Sequence, residues 1–121
     1  MNIKLLNKVK KAIKTEPKQF QMHSFFMHKE EIPNCKTAAC IAGHAIAVHK
    51  SLTPLEAKEF IRKNCHSTFY MARKYFELSD REAIKLFHFE NWPDQFRKQS
   101  SSNVKQAIAR IDHFIKTKGE E

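Results

Sequence analysis

Apolar residues return at three- and four-residue steps through most of this chain, the spacing that lines one face of an α-helix. Ile3, Leu6, Val9 and Ile13 do so between lysines, which predicts a helix from Asn2 to Thr15 with Asn2 as its cap. Pro17 stops it by disfavouring helical geometry at Glu16. Gln19 to Ile32 breaks the rhythm. Phe20, Met22, Phe25, Phe26 and Met27 are apolar without clean periodicity, so an ordered connection with a short extended piece is expected there. Pro33-Asn34 marks a turn, and Thr37 is placed to cap a helix from about Ala38 to His49. Ala38, Ala42, Gly43, Ala45 and Ala47 make this helix thin, and Gly43 inside it costs about 1 kcal/mol relative to Ala. Close packing on a neighbouring helix is the expected compensation.

Thr53-Pro54-Leu55-Glu56 is a capping box with proline at the first helical position, opening a helix that runs to about Asn64 with Leu55, Phe60 and Ile61 inward. Ser67 to Phe76 is a further helix, carrying Phe69, Tyr70, Ala72 and Phe76. Leu78-Ser79-Asp80-Arg81-Glu82 repeats the capping box, and Leu78 is placed to staple against Ala83. That helix ends near His88, and Trp92-Pro93 closes it off. Gln99-Ser100-Ser101-Ser102-Asn103 reads as a mobile polar connection. The last helix spans Val104 to Lys118, with Gly119 at its end. The pattern predicts an all-α fold: one compact domain, residues 1–121, built as a bundle of about five to six short helices, with the extended piece near residues 19–32.

Composition agrees with helices. Two Gly and four Pro leave few sites for the tight turns of a sandwich or barrel, and ten Phe supply the bulk of a core. The first sixteen residues alternate lysine with apolar side chains, so neither a signal peptide nor a membrane span is expected. No lipidation motif stands at either end. Three Cys without a secretory leader point to a reducing cytoplasm.

Charge adds a direction. The net charge of +9 favours polyanionic or acidic partners. Lys4, Lys8, Lys10, Lys11, Lys14 and Lys18 crowd the N-terminal segment; Arg97, Lys98, Lys105, Arg110, Lys116 and Lys118 mark the C-terminal one. Most such lysines are the solvated faces of amphipathic helices. Lys4, Lys8 and Lys11 are the candidate polyanion-binding residues.

Two other motifs carry chemistry. Cys35, Cys40 and His44 form a soft metal-ligand set, since Cys40 and His44 share a helical face and Cys35 could fold back onto them. The spacing lacks the paired cysteines of a strong zinc site, and a small buried Cys40 explains the same residues by packing alone. Cys35 near a helix start could also be a redox thiol, though no resolving cysteine accompanies it. The segment from Ala72 to Phe87 has the flavour of a helix-turn-helix, but Arg73 stands at the small-residue position and Glu77 where glycine makes the turn. Asp80 and Glu82 would then face the phosphates. No nucleophile elbow and no glycine-rich phosphate cradle occur, so no catalytic residue is assigned and no cofactor is called for.

Cys35, Thr37, Cys40, Ile41, Ala42, Gly43 and Ala45 fit the pattern Cys-Gly-Thr-x-x-Cys-Ile-Ala-Gly-x-Ala, and so the chain resembles a group of small, functionally uncharacterised bacterial proteins. Pro17-Lys18-Gln19-Phe20-Gln21-Met22, Leu86-Phe87 with Trp92-Pro93 and Phe96, and Arg110 to Ile115 also look similar. The resemblance brings no activity. Lys36 replaces the group's usual glycine, and His44 stands where tryptophan is frequent, which turns this helix toward a structural role. The leading expectation is a non-enzymatic module that binds a protein partner or itself through apolar surface around Phe25, Phe26 and Trp92. Nonspecific nucleic-acid binding and the metal site are the alternatives.

Overall fold

Ile41 to Ala47 are seven consecutive buried residues, which in a helix requires enclosure on all sides. In the structure, a computed structural model, residues 1–22, 26–28, 37–64 and 67–120 are described, with the backbone alone at 26–28 and 37–38. The described chain is all-α, with six α-helices and one minimal ribbon of two strands. Helix α1 is Ile3–Thr15 and ends in a 3-10 turn, Pro17–Gln19. Strands β1 (Phe26–His28) and β2 (Thr37–Ala39) pair antiparallel, with Phe26 opposite Ala39. Helix α2 is Ile41–Lys50, α3 is Pro54–Lys63, α4 is Thr68–Phe76 and α5 is Asp80–Phe87. Two 3-10 turns, Phe89–Asn91 and Asp94–Phe96, lead to α6, Val104–Lys116.

Helix α2 packs against α1, α3, α4 and α5, while α6 lies on α1. The small residues make this possible: Ala42, Gly43, Ala45 and Ala47 are all buried, so neighbouring helices come close without clashing. Leu6, Val9 and Ile13 of α1, Phe76 of α4, Leu86 of α5 and Ile111 and Phe114 of α6 complete one core around it.

Local signals set most boundaries. Asn2 Oδ1 accepts from the Leu5 amide at 3.0 Å, while its own amide and Nδ2 donate to the carbonyls of Phe76 and Tyr75 at 2.6 and 3.0 Å. One residue therefore caps the start of α1 and the end of α4. Both capping boxes form: the Glu56 amide reaches Thr53 Oγ1 at 3.2 Å, and the Glu82 amide reaches Ser79 Oγ at 3.1 Å. Gly119 has φ +75°, and a Cβ there would stand 2.9 Å from Glu82 Oε2, so this turn admits only glycine without rearrangement.

Tertiary pairing overrides the local pattern elsewhere. Thr37 and Ala38 do not open α2; they belong to β2, whose Ala39 also bridges Phe20, and Cys40 becomes the N-cap. Cys40 makes no side-chain cap bond. Leu55 faces outward because Pro54 and Ala57 hold the inner face of α3; Ile3, Tyr70 and Ile84 are exposed on other helices. The polar connection before α6 is tied down: Gln106 Oε1 accepts from the Gln99 amide at 2.8 Å, and Ser101 is buried.

Two residues assigned to the surface are in the core. Trp92 is 2% exposed and its Nε1 donates to the Leu86 carbonyl at 2.8 Å, so it offers no partner surface. Phe25 and the side chain of Phe26 lie outside the described residues. Arg110 is fully buried, its guanidinium 5.9 Å from the Trp92 ring and 5.5 Å from that of Phe114, with Nη2 donating to the Lys85 carbonyl at 3.1 Å. Stacking between aromatic faces takes the arginine out of the basic surface.

Between α4 and α5, Glu77 adopts left-handed geometry at φ 56°, the conformation glycine would fill. Arg73 covers the turn, with Nη1 on the Leu78 carbonyl at 3.1 Å and Nε 3.1 Å from Asp80. A side chain at this φ costs about 1 kcal/mol. Glu77→Gly is therefore expected to raise stability by roughly 0.5–1 kcal/mol in a denaturant titration, even though it loosens the unfolded chain.

Candidate functional site

Cys40 and His44 stand one helical turn apart at the start of α2, and burial governs both. The Cys40 thiol is pushed up to about 11, first by burial, with the Gly43 and Ala42 amides working against it. At neutral pH it is a thiol, neither a strong nucleophile nor a free thiolate ligand. The His44 imidazole is held down to about 4 by burial, against hydrogen bonds to the Cys40 and Ala39 backbone. It is neutral at pH 7. Nδ1 lies 3.1 Å from the Cys40 carbonyl oxygen, which can only accept, so the ring proton sits on Nδ1. Nε2 is then a bare lone pair, and this buried atom has no hydrogen-bond partner.

Cys35 lies outside the described residues. Among the described residues, no three His, Cys, Asp or Glu side chains gather as a metal group. Cys40 and His44 are instead joined by the ring-to-carbonyl bond, which fixes the imidazole's orientation.

The lysines bring a different grouping. Lys4, Lys8 and Lys11 are exposed, and their four- and three-residue steps place them on one face of α1, opposite buried Leu6, Val9 and Ile13. No ion pair among the described residues involves them. Four cations do pair with carboxylates: Lys10 with Asp112 across α1 and α6, Arg62 with Glu59, Arg73 with Asp80 and Arg97 with Asp94.

Lys8 and Lys11 also edge a cavity of about 560 Å³ between α1, α2 and the turn into α3. Ala12, Ala47, Val48, Leu52 and Pro54 give it apolar walls, His44 contributes the inner wall, and Thr15, Glu16 and Gln19 lie toward the end of α1. Lys4 does not line it. Residues with separate expected roles, His44 and two of the lysines, thus share one site. Neither the cavity nor the bare Nε2 had a sequence signal, because both arise from packing α1 against α2. No helix among the described residues is long and apolar enough to cross a membrane.

No family model matches the chain, and no curated protein and no solved structure matches it either.

Two outcomes follow from the buried pair. Below pH 6.5 the unfolded chain binds a proton at His44 that the folded chain refuses until about pH 4, so acid favours unfolding. His44's share of stability is full above pH 6.5 and falls by roughly 3 kcal/mol as the pH drops to 4. Denaturant titrations across this window should show the fall in the wild type and a shallower one in His44→Phe. In a Cys35→Ser, Cys65→Ser background, Cys40 should react with a disulfide reagent only as fast as the fold opens, since it is buried and protonated. Reaction at the rate of a free thiol would contradict that burial.

Proposed function

We propose that this protein is a non-enzymatic binding module that engages nucleic acid, without sequence preference, through the lysine face of α1. The observation that carries the reading is the exposed row Lys4, Lys8 and Lys11 on one face of α1, with no carboxylate partner among the described residues. Such a row works against its own helix. Like charges three and four apart destabilise a helix by about 0.2–0.5 kcal/mol per pair. Lys4 stands in the first turn, where the helix dipole favours carboxylates, and α1 has none there. A phosphate backbone laid along this face relieves both costs and releases its own counterions. No carboxylate of α1 lies on the row, since Glu16 follows the helix end. Apolar association has less support: Trp92 is buried, and exposed Ile3, Leu55, Tyr70 and Ile84 lie on separate helices.

The test is fluorescence anisotropy of a labelled duplex of random sequence. Binding by the wild-type chain should weaken linearly in log salt with a slope of about −3, one phosphate for each lysine. Lys4→Glu, Lys8→Glu and Lys11→Glu together should abolish binding while circular dichroism shows the helices retained. A flat salt response, or duplex binding by the triple variant, removes the reading.

A further inference from the structure

The cavity beside α1 has features that the nucleic-acid reading leaves unused. A solvated lysine row needs neither a recess of about 560 Å³ nor a buried imidazole with an unpartnered nitrogen. The volume falls within the range of small-molecule sites, roughly 300–1,000 Å³. The His44 ring is fixed by its Nδ1 bond to the Cys40 carbonyl, so Nε2 is committed to accepting. A buried acceptor left unsatisfied costs about 1–3 kcal/mol, which a ligand donor would recover.

We infer that the recess between α1 and α2 binds a small apolar organic anion bearing an N–H or O–H donor, such as an arylamine sulfonate or a hydroxyaryl carboxylate. Its donor meets His44 Nε2, the unpartnered nitrogen of a side chain that lines the recess. Its ring lies on Ala47 and Val48, and its anionic group turns toward Lys8 and Lys11 at the rim. Glu16 fixes the polarity of the pose. It lines the same recess at the end of α1, beyond Thr15, so the anion is directed to the lysine end. Neutral His44 suits this role, because an imidazolium would have no lone pair to offer.

The inference stands apart from the nucleic-acid reading because Lys4 belongs to the lysine row and not to the recess. Anilinonaphthalene sulfonate supplies the aryl body, the N–H and the anion, and serves as the probe. Titrated into the full chain, it should give saturable one-to-one fluorescence and move the His44 Nε2 nitrogen resonance. Thr15→Trp, at an exposed position on the mouth, should remove binding by filling the recess. Lys8→Glu with Lys11→Glu should weaken it roughly tenfold. His44→Phe should weaken it roughly fivefold, the worth of one hydrogen bond. Lys4→Glu should leave it unchanged while weakening duplex binding. Dye affinity equal in wild type and Thr15→Trp, absence of saturable binding, or binding that leaves His44 Nε2 unmoved each overturns the proposal. Loss of duplex binding with dye binding intact sinks only the nucleic-acid reading.

Discussion

Enclosure of α2 is the constraint from which the rest of the molecule follows. Its first two turns, Ile41 to Ala47, have no solvent face, and helices α1, α3, α4 and α5 share the work of covering it. Small side chains permit that enclosure, because alanine and glycine let neighbouring backbones approach. The polar groups caught inside must then settle in their neutral forms. Cys40 stays a thiol and His44 stays an uncharged ring, since ions without partners are too costly in a dry interior. Cys40 and His44, the described part of the candidate metal and redox motif, are thus buried and uncharged.

Exclusion of charge from the centre also shapes the surface. Arg110 enters the core only because Trp92 and Phe114 present ring faces to it and the Lys85 carbonyl accepts from it. Lys10 is tied to Asp112, which fastens α1 to α6. What remains on α1 is a face of cations with no structural task. The basic composition therefore separates into a share that holds helices together and a share that faces outward, a distinction the net charge conceals.

Elements written in short-range chemistry were legible in the sequence. Thr53 with Glu56, and Ser79 with Glu82, state a helix start within four residues, and both boxes form. Gly119 announces the turn after α6 in the same way. Elements decided by distant partners were not. Ala38 and Ala39 are good helix formers, yet pairing with β1 and Phe20 draws them into a strand and moves the start of α2 to Ile41. Trp92 beside a proline looks like a surface loop until Arg110 and the Leu86 carbonyl are seen to hold it. The recess was illegible for the same reason. His44 and the lysines of α1 were each visible as candidates, but only the contact between α1 and α2 puts Lys8, Lys11 and His44 around one space.

Asn2 carries a consequence for the order of folding. Its side chain and amide join the beginning of α1 to the last carbonyls of α4, across 73 residues of sequence. The Asn2 cap on α1 forms locally, but the last carbonyls of α4 find their partner only when Asn2 arrives, so this link can tighten only after most of the chain has collapsed. Loop closure over that span is entropically slow to reach and then cooperative. Fraying at the two ends should accordingly be a single shared event, not two independent ones.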